Sequence, residues 1–316
     1  MAAELAHTFD EPVLLGVIGG TGLYHMDSLT PVARITVETP WGKPSSPITI
    51  SRTPSGFPIA FLARHGYHHE YTPTDVPARA NIAALKKLGV RVIVAFSAVG
   101  SLQEKIRPRD FVVPNQIIDR TKGLRPSSFF GTGFVGHVGF GEPFDLELNK
   151  TISSFAKSRT PVLNSGAILH TKETNDNKDV VLICMEGPAF STRAESVLYR
   201  SWNGSVINMS ALPEAKLAKE AEIAYQMICM STDYDAWRED EEPVTVETVV
   251  GNLKANGENA NKFITALIPK LEEEIKAEKL GVSLKGSIKY SVSTSHGGID
   301  PTLKANLNWL HPGYWE

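Results

Sequence analysis

A short apolar run that ends in small or polar residues occurs five times along the chain, and this feature constrains the fold most strongly. Each run is rich in Val, Ile and Leu and is apolar at successive rather than alternate positions. Runs of this kind are typical of buried central β-strands. They lie at Val13–Gly20, Pro58–Ala63, Val90–Phe96, Ser205–Met209 and Tyr225–Met230.

Segments with helical patterns separate these runs. Val76–Gly89 has Ile82, Leu85 and Leu88 at helical spacing and ends in a glycine, which is typical of a helix C-terminus. Ser210–Ile223 opens with Ser210, a candidate N-cap. Its buried stripe is predicted to consist of Leu217, Ala218 and Ala221.

A third segment, Thr245–Ile275, is long and amphipathic, with Gly257 as a point of interruption. Because strands and helices alternate, the chain is predicted to be an α/β protein with a central mixed, mostly parallel sheet flanked by helices. Two stretches are predicted to be loops: glycine-rich Gly131–Phe144 and polar Thr171–Asp179.

No repeat or linker divides the chain, so we expect one domain. Its predicted limits are 13–276, with an N-terminal extension at 1–12 and a C-terminal extension at 277–316. The C-terminal extension carries three aromatic residues and is expected to pack on the domain or on a neighbouring subunit. These residues are Trp309, Tyr314 and Trp315.

Charge and cysteine usage narrow the class of protein. Among 316 residues, 32 Lys and Arg against 35 Asp and Glu give 32 − 35 = −3, which argues against nucleic acid or an anionic membrane as the main partner. Cys184 and Cys229 lie in apolar runs and are interpreted as buried thiols of a reducing compartment. No apolar stretch has the length of a membrane span, and the acidic N-terminal residues MAAELAHTFDE do not have the apolar h-region expected of a signal peptide. A soluble, cytosolic protein is expected.

Polar residues follow the predicted strands, where ligands bind in open α/β sheets. The set is Thr21, Arg64, His65, Ser97, Ser210, Asp233 and Asp235. Glycines beside Thr21, a guanidinium, an imidazole and two hydroxyls form a good cradle for a small oxyanion. The two aspartates offer acceptors or a proton to a ligand that is not an anion. The pattern predicts a site for a phosphate and a neutral heterocycle.

Taken singly, these signals have simpler interpretations. The GGTG turn that contains Thr21 matches neither GxGxxG nor GxxxxGK[ST], so a dinucleotide site and a Walker-type NTPase are disfavoured. An Arg-His pair is commonly a surface pair, a DxD sequence is commonly a solvated turn, and Met209 has the character of a core residue. The histidines of this region lack the carboxylate or cysteine pattern that would complete a metal site. These are His65, His68 and His69.

Six motifs, in order from about Val13 to about Ile275, together carry a family resemblance. They are IGGTGL (Ile18–Leu23), ARHG (Ala63–Gly66), SAVGSL (Ser97–Leu102), MEGPAFSTRAES (Met185–Ser196), VINMSALPE (Val206–Glu214) and STDYD (Ser231–Asp235). The chain resembles the 5′-methylthioadenosine phosphorylases of the purine nucleoside phosphorylase superfamily. The resemblance implies a homotrimer that uses inorganic phosphate to convert methylthioadenosine into adenine and 5-methylthioribose 1-phosphate, in methionine and purine salvage. It also implies a location in the cytoplasm, extending to the nucleus.

The resemblance also implies roles for particular residues. The phosphate-binding positions correspond to Thr21, Arg64, His65, Ser97, Ala98 and Ser210. The family usually has threonine where this chain has Ser97 and Ser210, so a slightly looser pocket is expected. Met209 corresponds to the residue under the ribose, and His137 to a residue supplied by the adjacent subunit. The apolar wall around the methylthio group corresponds to Val246 and Val249.

The purine-binding positions correspond to Ser191, Asp233 and Asp235. Branches of the superfamily that take 6-oxopurines resemble one another in a glutamate and an asparagine here, whereas two carboxyl groups suit a 6-aminopurine. A 6-oxopurine would leave a buried group unpaired, at about 1–3 kcal/mol. The 171–179 insertion and the tail after about Ala277 depart from the family pattern, which leaves the preference at the 5′ position least defined.

The resemblance implies displacement at C1′, with Asp233 as the general acid that protonates N7. No metal or organic cofactor is expected, because phosphate is a co-substrate. Two alternatives stay open at this stage. One is a phosphorylase for inosine or guanosine, and the other is a catalytically silent nucleoside-binding protein of the same fold.

Overall fold

The computed structural model describes residues 5–20, 23, 29–158, 163, 166–238 and 246–315, with the backbone alone for 156–158 and 246–250. Within these residues one sheet contains eleven strands. They are β1 (Leu15–Gly19), β2 (Thr30–Ile35), β3 (Ile48–Arg52), β4 (Pro58–Ala63), β5 (Val92–Ser101), β6 (Phe111–Val112), β7 (Gln116–Arg120), β8 (Leu169–His170), β9 (Val181–Met185), β10 (Gly204–Asn208) and β11 (Ala224–Asp233). The α-helices are α1 (Ala78–Lys87), α2 (Leu146–Ser158), α3 (Arg193–Ser201), α4 (Ala211–Glu220), α5 (Val246–Lys276) and α6 (Pro301–Leu310).

The predicted fold class is confirmed. All five apolar runs are strands (β1, β4, β5, β10 and β11), and the three helical segments contain α1, α4 and α5. Eight strands are neighbours in the order β2-β3-β4-β1-β5-β10-β9-β7. Strand β11 is not in this series and pairs with β5. Six of the ten strand pairings are parallel. The chain therefore forms a single α/β domain with a mixed, mostly parallel sheet.

Strand β5 changes partner along one edge, and this change creates an opening in the sheet. One edge of β5 pairs with a single strand, β11, from Val92 to Gly100. The edge that changes partner is the opposite one. On this opposite edge, β1 pairs with Val92–Ala95, whereas antiparallel β10 pairs only with Gly100 and Ser101. The stretch between these partners, Phe96–Val99, has no ladder partner on that edge, so its polar groups are available to side chains and ligands.

The core has two layers, one on each face of the sheet, because alternate side chains of a strand point to opposite faces. In β5, Ile93 and Ala95 belong to one buried cluster, whereas Val92, Val94 and Phe96 belong to the other. Helices α1, α4 and α6 contribute to the first cluster, and α2 and α5 contribute to the second. Burial of this apolar surface on both faces holds the strand ends in a fixed arrangement.

Several local predictions were tested. The stripe of α4 is buried as expected, and Gly131–Phe144 is a loop with isolated bridges only. Helix α5 continues through Gly257, so the interruption is wrong. Ser210 stands at the N-cap position of α4, but its side chain makes no capping hydrogen bond. Its hydroxyl bonds Ser97 instead, as described below.

The C-terminal segment packs on the domain. Leu307, Leu310 and Trp315 belong to the first core cluster, and the Trp315 ring contacts the rings of Phe130 and Phe134 at centroid distances of 6.1 and 5.3 Å. Aromatic pairs of this geometry add to the gain from burial. The segment is therefore part of the folded unit. Among the described helices, none combines the length and apolar character needed to cross a membrane.

Candidate active site

A cavity of about 290 Å3 lies at the C-terminal ends of β4, β5, β10 and β11. This is the edge where ligands bind in open α/β sheets. It brings together nine of the predicted site residues, which are Arg64, His65, Ser97, Ala98, Ser191, Met209, Ser210, Asp233 and Asp235.

Arg64 follows β4 and is only 2% exposed. Its Nε and Nη2 donate to the two carboxylate oxygens of Glu214 at 2.7 and 2.8 Å, and Nη1 donates to the Phe96 carbonyl at 2.7 Å. That carbonyl belongs to the unpaired stretch of β5. Burial alone would lower the pKa of Arg64, but the adjacent Glu214 carboxylate outweighs it and raises this pKa above its usual value. Arg64 is therefore a fixed, permanently charged group that lines the cavity.

The backbone comes close to Arg64 at Gly20. A Cβ placed at Gly20 would lie 2.4 Å from the Phe96 carbonyl oxygen and 2.7 Å from Arg64 Nη1. Only a residue without a side chain fits between them. The second glycine of the GGTG turn thus lets the chain pass directly over the guanidinium.

Ser97 and Ser210 meet at the same end of the cavity. Their hydroxyl oxygens are 2.9 Å apart. Asn208 Nδ2 donates to Ser97 Oγ at 3.1 Å and to Ser210 Oγ at 3.4 Å. The amide group holds both oxygens as acceptors, which leaves a hydroxyl hydrogen free to turn toward an anion.

His65 contributes a neutral imidazole. Its Nδ1 lies 2.9 Å from the Tyr71 carbonyl, which can only accept, so Nδ1 carries the proton and Nε2 is an acceptor. Burial, with a further contribution from the Arg64 charge, lowers the pKa of His65 to about 4. The His65 ring stacks on His69 with centroids 4.5 Å apart. No group of three or more His, Cys, Asp or Glu residues in the described part of the chain is arranged to hold a metal ion.

The two aspartates line the same cavity. Asp233 Oδ2 accepts from Thr232 Oγ1 at 2.6 Å, and Oδ1 accepts from the Asp235 backbone N–H at 2.8 Å. Burial raises the pKa of Asp235 to about 6, and the Asp233 charge adds to the effect. The buried Ser196 hydroxyl acts on the Asp235 carboxyl and lowers its pKa, but Asp235 Oδ2 has no partner at ordinary hydrogen-bond distance among the described residues. Such an oxygen suits a donor supplied by a ligand.

Gly100 leaves room for this pair of carboxyl groups. A Cβ at this position would lie 3.1 Å from Asp233 Oδ1 and 3.2 Å from Asp235 Cβ. Because those distances are tighter than ordinary contacts, any side chain here would displace the aspartates. The SAVGSL motif therefore contributes to both ends of the cavity.

Arg125 joins three segments beneath the cavity and is 7% exposed. Its Nη1 donates to the carbonyls of Met209 and Leu212, each at 2.6 Å. Its Nε donates to Glu186 Oε1 at 2.7 Å, and Nη2 donates to the Met185 and Glu186 carbonyls. This one side chain ties the end of β9 to the end of β10 and the start of α4.

Four predicted residues are not brought into the described cavity. Thr21 and the side chains of Val246 and Val249 lie outside the described residues. His137 is exposed and is not among the residues that line the cavity; its backbone N–H donates to the Ser291 carbonyl at 2.8 Å.

The prediction missed several residues that shape the site. Pro188, Phe190 and Ile207 form an apolar wall, whereas Asn208 and Glu214 hold the polar residues in place. Asn208 and Glu214 lie inside the VINMSALPE motif, so their position in that motif was an available signal. Arg125 lies outside every motif, and its role depends on contacts that only the fold creates.

This architecture, an α/β sheet with basic and hydroxyl side chains beside buried carboxyl groups at its strand ends, defines a class of ligand-binding α/β protein whose cavity suits an anion together with a hydrogen-bond donor. Comparison with known proteins agrees. Residues 14–269 match the family described as the phosphorylase superfamily. An S-methyl-5′-thioadenosine phosphorylase of Yarrowia lipolytica is 67% identical over 312 residues, which cover 99% of this chain and 96% of that protein. One from Candida albicans is 65% identical, covering 99% and 92%.

Solved structures agree with these relatives. A methylthioadenosine phosphorylase from an antarctic soil metagenomic library has a TM-score of 0.83 and 38% identity, covering 96% of this chain and all of that one. The Schistosoma mansoni methylthioadenosine phosphorylase in complex with adenine has a TM-score of 0.80 and 29% identity, covering 89% and 99%. The chain belongs to the phosphorylase superfamily and, within it, to the family of S-methyl-5′-thioadenosine phosphorylases. Because the curated relatives align over 99% of the chain, the expectation that the C-terminal tail lies outside the resemblance is wrong.

Proposed function

We propose that this chain uses inorganic phosphate to cleave S-methyl-5′-thioadenosine into adenine and 5-methylthioribose 1-phosphate. The observation that carries the proposal is a single cavity lined both by Arg64, Ser97 and Ser210 and by the pair Asp233 and Asp235. The named relatives support the same substrate.

At the anion end, Arg64 supplies the positive charge. Glu214 and Phe96 take three of its five N–H groups, so two remain for phosphate oxygens. The pair of Ser97 and Ser210 donates its free hydroxyl hydrogen to another oxygen of the same anion. His65 Nε2, an unprotonated acceptor, suits the P–OH group of hydrogen phosphate. These groups place a phosphate oxygen below C1′ of the ribose, next to Met209.

At the purine end, the proposed chemistry is displacement at C1′. The bond from C1′ to N9 breaks while a phosphate oxygen bonds to C1′, and the electron pair moves into the purine ring. Asp233 enters the reaction in its protonated form, gives its carboxyl proton to N7 and becomes a carboxylate, so that adenine leaves as a neutral molecule. Asp235 Oδ2, which has no partner at ordinary hydrogen-bond distance among the described residues, accepts from the 6-amino group. The reaction as written requires no metal and no organic cofactor.

The proposal extends to assembly. We propose a homotrimer in which His137 reaches the cavity of a neighbouring subunit, because His137 is exposed and does not line the cavity of its own chain. Sizing the protein at the assay concentration tests this, since a fully active monomer would contradict it. Buried, free Cys184 and Cys229 support a reducing compartment, proposed as the cytoplasm and the nucleus.

The test of substrate choice is a comparison of methylthioadenosine, adenosine and inosine at saturating phosphate. We expect the highest kcat/KM for methylthioadenosine and a strong preference for the two adenine nucleosides over inosine. A preference for inosine would contradict the role assigned to Asp233 and Asp235. Binding of methylthioadenosine without any turnover would instead indicate a silent nucleoside-binding protein.

A further inference from the structure

A second cavity, of about 430 Å3, lies at the opposite edge of the sheet. Arg91 and Glu222, which precede β5 and β11, line its inner side. The C-terminal segment forms the outer side, from Glu278 to Tyr314. Since β5 is ten residues long, this cavity is separate from the site that contains Ser97 and Asp233.

Three basic side chains from three different elements converge on this cavity. Lys86 belongs to the last turn of α1, Arg91 precedes β5, and Lys285 follows α5 in the C-terminal segment. None of the three side chains forms a hydrogen bond or an ion pair with a described residue. Lys86 is half-buried, and its burial lowers its pKa. The Glu222 charge acts to raise the pKa of Lys86 and the Arg91 charge acts to lower it. Arg91 and Lys285 are exposed, so both side chains are accessible to an anion that enters the cavity.

The acidic residues of the cavity balance part of this positive charge and leave an excess of one cation. Both carboxylate oxygens of Glu222 are occupied: one accepts from the Ile288 N–H at 3.0 Å and the other from the Tyr314 hydroxyl at 2.8 Å. Glu278 is exposed to solvent. Three cations against two carboxylates leave a net positive cavity.

We propose that this cavity binds a small polyanion with two or more phosphate groups. Three cations held on separate elements suit an extended anion better than one tetrahedral ion, because each can bond a different phosphate group. Lys285 is on the C-terminal segment, whereas Lys86 and Arg91 are on the domain core. A bound polyanion therefore connects the C-terminal segment to the core.

Isothermal titration of the intact protein with inorganic diphosphate tests the proposal. Diphosphate also fits the phosphate cradle of the active site, so we expect two binding events per chain. In the double variant Arg91→Ala, Lys285→Ala, one event should weaken by about tenfold or more, since each lost charge-assisted hydrogen bond has a large effect. Lys285→Arg with native Arg91 should retain both events. Lys262→Ala is the matched control, because Lys262 is an exposed lysine of α5 that is not among the residues lining the cavity.

Competition with phosphate identifies which event belongs to the active site. The inhibition constant of diphosphate against phosphate should be the same in the wild type and in the double variant. The proposal is overturned if the double variant binds diphosphate with wild-type stoichiometry and affinity. It is equally overturned if the wild type binds diphosphate only where phosphate competes. Because calorimetry does not depend on turnover, either result is independent of the proposed function.

Discussion

The Arg64 guanidinium and the Glu214 carboxylate form a two-pronged ion pair, with N–O distances of 2.7 and 2.8 Å, in the interior of the protein. The side chains are 2% and 4% exposed. The Tyr225 hydroxyl donates a third hydrogen bond to Glu214 at 2.7 Å. Glu214 thus fixes the plane of the guanidinium and balances its buried charge.

Substitution of Glu214 should affect both stability and phosphate binding. Glu214→Gln leaves the buried Arg64 charge without its partner, and we expect a loss of about 3–5 kcal/mol in the free energy of unfolding. The KM for phosphate should rise because the guanidinium is no longer held in one orientation. Urea denaturation and phosphate kinetics measure the two effects.

A surface ion pair provides the control for this substitution. Glu147 pairs with Lys150 at 2.7 Å, and both side chains are more than half exposed. Glu147→Gln should cost less than about 1 kcal/mol and leave the KM for phosphate unchanged. Equal effects of the two substitutions would contradict the role of Glu214.

The paired serine hydroxyls give a second prediction. Ser210→Ala removes one donor to phosphate and leaves Ser97 Oγ without its 2.9 Å partner. A hydrogen bond to a charged group contributes about 1.5–3 kcal/mol, so the KM for phosphate should rise about 10- to 100-fold. Ser210→Thr keeps the hydroxyl and should remain close to wild type. If both variants raise KM equally, the hydroxyl is not the group that matters.

Asp235 gives a prediction about pH. Burial raises its pKa from 3.8 to about 6, so the folded state binds this proton more tightly than the unfolded state does. The group therefore stabilises the fold fully below about pH 4, and this contribution is lost as the pH rises through about 6. Asp235→Asn should remove that pH dependence and increase the unfolding free energy at pH 8, on the order of 2 kcal/mol.

Asp235→Asn should also lower kcat/KM for methylthioadenosine, since the amide would place an N–H where an acceptor is needed. Glu220→Gln is the matched control: burial raises the pKa of Glu220 to about 7, yet Glu220 is remote from the cavity lining. Glu220→Gln should change how the free energy of unfolding depends on pH and should leave kcat/KM for methylthioadenosine unchanged. A stability curve for Asp235→Asn that runs parallel to wild type between pH 4 and 7 would refute the assignment.

Arg125 is predicted to act as a positioning residue. Arg125→Lys cannot reproduce bonds to Glu186 and to four carbonyl groups. We expect a lower kcat and a higher KM for the nucleoside, because Met209 loses its backbone support, with less change in the KM for phosphate. Arg120→Lys, an exposed arginine just upstream, should leave these constants unchanged. If Arg125→Lys lowers the free energy of unfolding but leaves kcat and both KM values unchanged, the role of Arg125 is purely structural.

The sequence predicts the central strands well because their apolar runs are independent of context. Strands β2 and β3 were missed because they mix polar and apolar residues, and α3 was missed because it buries only Ser196 and Tyr199. Nine of the residues that line the cavity were predicted, because polar residues at the C-terminal ends of strands and the six motifs both indicate them. They could not identify Arg125, whose role depends on three segments meeting in space, or the use of the Ser210 hydroxyl, which bonds Ser97 rather than capping α4.

The most direct test of the account is the stoichiometry of the reaction with methylthioadenosine. Adenine release and phosphate consumption are measured together, with the sugar phosphate followed by phosphorus NMR. We expect no adenine release without phosphate and one phosphate consumed for each adenine formed. Adenine release at the same rate without phosphate would mean hydrolysis, and the cradle of Arg64, Ser97 and Ser210 would then serve a different purpose.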